Sequence, residues 1–182
     1  AFISDITYNT VKILSYKMAG FYIFDDMQTA CQLVSALANE TVDAVEIMDA
    51  RSLNSVLEQI SVLVDLPETL PEESTALLIE FSADSQTKLL KLEEKLNSHI
   101  IKLDKRLVAK QAFIKSEQVI SLLWKIRKGM FPAVGAVRAT GTTVVIEDVA
   151  VPVNQLAQAV EQLHLLFNQF GYDEAIIFGH AL

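Results

Sequence analysis

The 182-residue chain carries 23 Asp and Glu against 15 Lys and Arg, a net charge of −8, and its pI is about 4.8. That balance excludes nonspecific nucleic-acid binding, which needs a basic surface, and docking on anionic lipid through bulk charge. Hydrophobic residues make up 51% of the chain and the mean hydropathy is +0.31, so one domain over residues 1–182 with a sizeable core is expected. The single cysteine, Cys31, excludes an internal disulfide and any CxxC metal or redox motif. It lies in an apolar helical pattern and reads as a small core residue. No apolar run approaches the roughly 20 residues that span a bilayer. No secretory signal with a basic start and apolar centre is present, and the cytoplasm is the expected compartment. The chain opens on Ala1-Phe2-Ile3 and stops at Ala181-Leu182, just past a strand-like run, as expected of a piece of a longer protein.

Residues 1–16 read as either a short helix or a linker. Met18 to Phe24 is an apolar-aromatic run, a buried strand candidate. Asp25-Asp26 can cap a helix whose inner face is Ala30, Leu33, Val34 and Leu37. Val42 to Met48 reads as a strand interrupted by acids. A helix follows over 51–64, with Leu53, Val56, Leu57, Ile60 and Leu63 or Val64 turned inward. The loop Leu66 to Glu73 holds two prolines and a cluster of acids. Ala76 to Phe81 is a strand, and Asp84-Ser85 caps a long helix to about Leu103 with the stripe Leu89, Leu92, Leu96, Ile100 and Leu103. Its charged face reads as solvated, with His99 on it. Gln111 to Lys115 is a weak edge-strand candidate, and Ser116 caps the next helix.

That helix carries Ile120, Leu123, Trp124 and Arg127 and is expected to stop in a Gly/Pro turn at Gly129, Pro132 and Gly135. The turn should feed a strand over 142–152. Pro152 can sit in the first turn of a last helix over 153–170. Leu156, Ala159 or Val160, Leu163, and Leu166 or Phe167 face inward there, and Gly171 stops it. Ala175 to Phe178 is the final strand and delivers Gly179-His180. Strand and helix alternate, but no Gly-rich phosphate loop follows any strand. Glu46, Glu80 and Glu147 inside strands fit a sheet with one more open face. The expected fold is α+β, ferredoxin-like, a mostly antiparallel sheet with helices packed on one face.

On a helical wheel at about 100° per residue, Arg127 falls inside the apolar arc between Leu123 and Ile120. A guanidinium among apolar neighbours needs an anion, and its planar fork suits a carboxylate or phosphate. From the wheel alone the simpler partner is structural, Glu147 or Asp148, or the stem snorkels to water. Glu147 and Asp148 point to opposite faces of a strand and cannot form a carboxylate dyad. His180 follows a glycine at a strand end, where a general base or metal ligand is commonly placed. One histidine with no His or Cys nearby cannot close a metal site by itself. His164 lies mid-helix and reads as a surface or boundary residue.

The blocks Leu123-Trp124-Lys125-Ile126-Arg127-Lys128-Gly129, Glu147-Asp148-Val149-Ala150-Val151-Pro152 and Phe178-Gly179-His180 resemble, in order and spacing, the C-terminal domain of FAD-linked oxidases. These are the D-lactate, glycolate and D-2-hydroxyglutarate dehydrogenases of the vanillyl-alcohol oxidase superfamily. The run from Lys17 to Leu53, with Val45-Glu46-Ile47-Met48-Asp49, resembles the start of the same domain. The resemblance implies a domain that caps FAD, the flavin being bound mainly by a separate N-terminal domain absent from this chain. It places the arginine that holds the substrate carboxylate on Arg127, in place of the structural pairing, with Arg138 as a second candidate. It makes His180 the first of two histidines that hold a divalent metal such as zinc. The lysine that some relatives carry near the 142–152 strand end is missing, where Val145-Ile146-Glu147 stands. The implied parent is a FAD-dependent D-2-hydroxyacid dehydrogenase. The alternative is a non-catalytic ferredoxin-like module that binds a small ligand or pairs as a homodimer, with Arg127 structural and His180 incidental.

Overall fold

The computed structural model describes residues 3–137, 140–142, 149–172 and 175–182. In chain order the elements are β1 (Tyr16–Phe24), α1 (Met27–Leu37), β2 (Ala44–Met48), α2 (Ala50–Asn54), α3 (Leu57–Ser61), β3 (Thr75–Ala83), α4 (Gln86–Ile101), β4 (Leu107–Ile114), α5 (Glu117–Val137), α6 (Leu156–Phe170) and β5 (Phe178–His180). The strands form one sheet in the order β4-β1-β3-β2-β5, and the pairs are antiparallel. β1, α1, β2, β3, α4 and β4 make the βαββαβ ferredoxin-like unit. The α+β class and antiparallel sheet are those read from the sequence, and β4 is the edge strand expected there.

β3 is buried along its whole length and β1 from Met18 onward, so both faces of the sheet are covered. On one face Met18, Tyr22, Phe24, Ile47, Leu77, Ile79 and Phe81 pack against Leu33 and Leu37 of α1 and Leu89, Leu96 and Ile100 of α4. Gly20 lies on this face because a Cβ there would stand 2.8 Å from both the Phe113 and Tyr22 rings. Those rings meet edge-on, as do Phe113 and Phe81. On the other face Ala19, Phe21, Ile23, Met48 and Leu78 meet Leu53, Ile60, Ile120, Leu123, Ile126 and Met130. The helices of the βαββαβ unit thus lie on one face as expected. The second face, expected to be more open, is closed by α2, α3 and α5.

The helix starts follow the capping residues seen in the sequence. Asp26 and Ser85 each accept the amide three residues on, Ser116 approaches the Val119 amide at 3.5 Å, and Asp49, not read as a cap from the sequence, accepts the Ser52 amide. Cys31 is buried in the α1 face, and burial pushes its thiol up to about 11, so it is no reactive thiolate.

Several expectations are corrected. The helix over 51–64 is two short helices, with Val56 non-helical between them at φ −130° and buried in the core. No turn forms at Gly129 to Gly135, because α5 continues through Gly129 and Pro132. Glycine and proline cost a helix interior about 1 and 3 kcal/mol. Met130, fully buried, offsets much of this, since burying such a side chain contributes about 1.5–3 kcal/mol. Residues 3–14 form neither helix nor strand, which keeps the linker of the two readings and drops the short helix. Pro152 precedes a 3-10 turn, Val153–Gln155, instead of opening α6 itself. Of the stripe expected on α6, Val160 alone is buried, while Leu165, Leu166 and Phe170 face solvent. Gly171 ends α6 in the left-handed region at φ 72°, as expected. The expected strand over 142–152 has residues 143–148, Glu147 and Asp148 among them, outside the described residues, and 149–152 are in no strand.

Candidate functional site

β2 and β5 lie side by side with Glu46 opposite His180 and Met48 opposite Phe178. Alternation along a strand puts Glu46, His180, Phe178 and Met48 on one face, the face under α5. Three turns into α5, Arg127 projects onto that face from between buried Leu123, Ile126 and Met130. Its Nε donates to Glu46 Oε2 at 2.9 Å, and Nη2 lies 2.8 Å from the same oxygen as an ion-pair contact. The guanidinium lies over the Phe178 ring, 4.6 Å from its centroid, a favourable cation–π contact. The Arg127 side chain is 12% exposed and that of Glu46 1%. The other Glu46 oxygen, Oε1, is 2.5 Å from His180 Nδ1, whose side chain is 83% exposed. That contact lacks hydrogen-bond alignment, leaving Oε1 a buried acceptor without an aligned donor among the described residues.

A second carboxylate repeats the arrangement one strand over. Glu80 on β3 accepts from Trp124 Nε1 at 2.7 Å and from Lys17 Nζ at 2.8 Å. Glu80 pairs with Ala44, two residues from Glu46 on the same strand face. Trp124 and Arg127 are one helical turn apart on α5, so one helix face is pinned by two strand carboxylates. The groove beside Trp124, about 740 Å³ in volume, holds Lys17, Glu80 and Trp124 but neither Arg127 nor His180.

The strand that carries His180 is tied to the end of β2. Asp49 accepts from the Ser52 amide at 2.8 Å and hydroxyl at 2.5 Å, and from the Ile177 amide at 3.0 Å. The Asp49 amide donates back to the Ile177 carbonyl. Burial pushes the Asp49 carboxyl above its ordinary value, with these hydrogen bonds opposing.

The structure therefore brings two of the expected site residues, Arg127 and His180, to one carboxylate. Their shared partner is Glu46; Glu147 and Asp148, the partners offered for Arg127 by the structural reading, lie outside the described residues. Arg138, the second substrate-binding candidate, lies outside the described residues. His99, read as solvated, pairs with Glu40 Oε1 at 3.0 Å. Glu46 and Glu80 were taken for signs of an open face and are instead buried under α5. The signal that finds them is a charge at an alternating position of a strand whose neighbours on that face are Met48 and Leu78, since a buried carboxylate there needs a partner.

The arrangement is a ferredoxin-like antiparallel sheet with an inward arginine and an outward histidine meeting at one strand pair. The family "FAD linked oxidases, C-terminal domain" matches residues 14–182, and the chain belongs to it. It is accordingly a domain of a FAD-linked oxidoreductase. No match was found among curated proteins. No helix among the described residues is long and apolar enough to cross a membrane.

Proposed function

We propose that the chain is the substrate-facing cap of a FAD-dependent dehydrogenase that oxidises a D-2-hydroxyacid to the 2-oxoacid. The observation that carries this reading is the convergence of Arg127 and His180 on Glu46. Arg127 offers a cation held rigid by Glu46 and Phe178, fit to grip a substrate carboxylate and orient the reacting carbon. His180 stands beside it in solvent, where its imidazole can take the hydroxyl proton. Bound FAD supplies the hydride acceptor, held mainly by an N-terminal domain outside this chain. That domain would also exclude water from His180. A divalent metal such as zinc finds one exposed imidazole here, and no group of three His, Cys, Asp or Glu among the described residues could hold it. The cytoplasm is the proposed compartment.

The full-length protein is expected to show flavin absorbance and turnover with a D-2-hydroxyacid such as D-lactate, glycolate or D-2-hydroxyglutarate. The 182-residue chain alone should be colourless and inactive. Arg127→Lys keeps the charge and loses the fork. It should lower kcat/KM about 10–100-fold, the equivalent of one charged hydrogen bond of about 1.5–3 kcal/mol. A flavin-free full-length protein, or unchanged kcat/KM in that variant, would count against the proposal. The alternative, a non-catalytic module that dimerises, draws on the exposed Leu165, Leu166, Phe170 and Tyr172 at the end of α6. Sedimentation of the chain as a monomer removes that support.

A further inference from the structure

We propose that Glu46 is the positioning residue of this site. One oxygen accepts the Nδ1 proton of His180 and leaves Nε2 as the outward lone-pair nitrogen, while the other holds Arg127. This rests on the reading of Arg127 and His180 given above and adds a third residue that acts through both.

The register comes first. Glu46 and His180 are directly opposed across the antiparallel β2–β5 pair, where side chains on one face sit within about 5 Å. The pairing is anchored on both sides. The Val45 amide donates to the Leu182 carbonyl and the Ala181 amide to the Val45 carbonyl, and Asp49 holds Ile177. His180 therefore cannot slide away from Glu46 without breaking the strand pair.

The carboxylate is equally constrained. Arg127 Nε donates to Oε2 and Nη2 lies 2.8 Å from the same oxygen, so turning the carboxylate away would break a charge-assisted pair in a buried setting. That leaves Oε1 buried, without an aligned donor among the described residues, and an unsatisfied buried acceptor costs about 1–3 kcal/mol. The nearest candidate is Nδ1 of His180 at 2.5 Å.

The tautomer follows from the donor inventory. A carboxylate accepts only, and a neutral imidazole has one donor and one acceptor nitrogen. With Nδ1 as the donor, Nε2 carries the lone pair, and it faces solvent, where a substrate would arrive. Free imidazole side chains prefer the opposite tautomer, so Glu46 inverts an intrinsic preference. An arrangement in which a carboxylate fixes the ring by its other nitrogen is a general way of making histidine a defined base or ligand.

The test is the nitrogen spectrum of the 182-residue chain labelled with 15N-histidine, at about pH 9, well above the ordinary imidazole pKa of about 6.5. His180→Ala identifies the His180 signals. The expected result is an N–H-type shift at Nδ1 and a lone-pair-type shift at Nε2. The reverse pattern in the unaltered chain overturns the proposal, and needs no variant to fold. In Glu46→Gln the amide can donate to Nδ1, and the two shifts should exchange. An unchanged pattern in that folded variant also overturns it. Turnover is not read here. A wrong tautomer removes the role of Glu46 whatever the substrate, and failure of every D-2-hydroxyacid removes the preceding reading whatever the tautomer.

Discussion

The face of the sheet under α1 and α4 and the face under α5 are built from the same strands but held by different forces. Under α1 and α4 the contacts are apolar, from Phe24 and Phe81 to Leu33 and Leu96. Under α5 an apolar layer is interrupted by two carboxylates, Glu46 and Glu80, each matched to donors on the helix or the next strand. Apolar packing is non-directional and tolerates exchange among residues of similar volume. A buried ion pair fixes which atoms meet, and adds little stability compared with a hydrophobic substitute. The first face makes the domain stable, and the second makes one edge of it specific.

The largest expected effect breaks the apolar face. Phe81 is fully buried, and Phe81→Ala should cost about 3–5 kcal/mol in urea unfolding. A loss under about 1 kcal/mol would mean that this face does not carry the core.

The next variant sharpens the contrast. Arg127→Met leaves Glu46 buried without its guanidinium and should cost about 3 kcal/mol, the low end for breaking a buried pair, since Arg127 keeps 12% exposure. The double variant Glu46→Leu with Arg127→Met should recover most of that loss. A double variant no more stable than the single one would show that the pair itself stabilises the fold. Melting alone therefore does not separate a structural arginine from a substrate clamp, which is why Arg127→Lys and kcat/KM carry that test.

The same contrast explains what the sequence made legible. Apolar periodicity gave β1, α1, β3 and α4 near their observed bounds, and Asp26, Ser85 and Gly171 announced helix ends through local hydrogen bonding. The inward aim of Arg127 was visible on the wheel because it needs only the period of its own helix. Its partner was not, since 81 residues separate it from Glu46 and only the sheet order brings β2 beneath α5. The continuation of α5 past Pro132 was also hidden, because local propensity argues for a stop and tertiary burial of Met130 overrides it. His180 was legible as a strand-end residue, but its opposition to Glu46 depends on a register that no single strand encodes.

A smaller effect is expected where the apolar face is tightest. Gly20→Ala puts a Cβ 2.8 Å from the Phe113 and Tyr22 rings, and overpacking of this kind costs about 1–3 kcal/mol. Thermal melting should show the fall. Relief by Phe113→Leu in the same chain would tie it to the ring and not to strand propensity.

The smallest effect compares two aspartates that cap helices on opposite faces. For Asp26, at the start of α1, burial alone raises the pKa. The Thr29 amide and hydroxyl and the Arg106 guanidinium outweigh it, and its carboxyl titrates below the ordinary value. For Asp49, at the start of α2, burial is not outweighed and the carboxyl titrates above it. The signs are opposite. The contribution of Asp26 is present above its unfolded pKa of about 3.9 and is lost as pH falls through its lower folded value. The contribution of Asp49 is greatest below about 3.9 and is lost as pH rises through its raised folded value. Asp26→Asn should therefore flatten the acid loss of stability, and Asp49→Asn should flatten the decline as pH rises from 3.9. Urea midpoints measured against pH would show the two slopes. If both variants changed the same arm of the profile, burial would not be what separates the two caps, and the carboxylates under α5 would need another account than the dry, partnered setting given to Glu46.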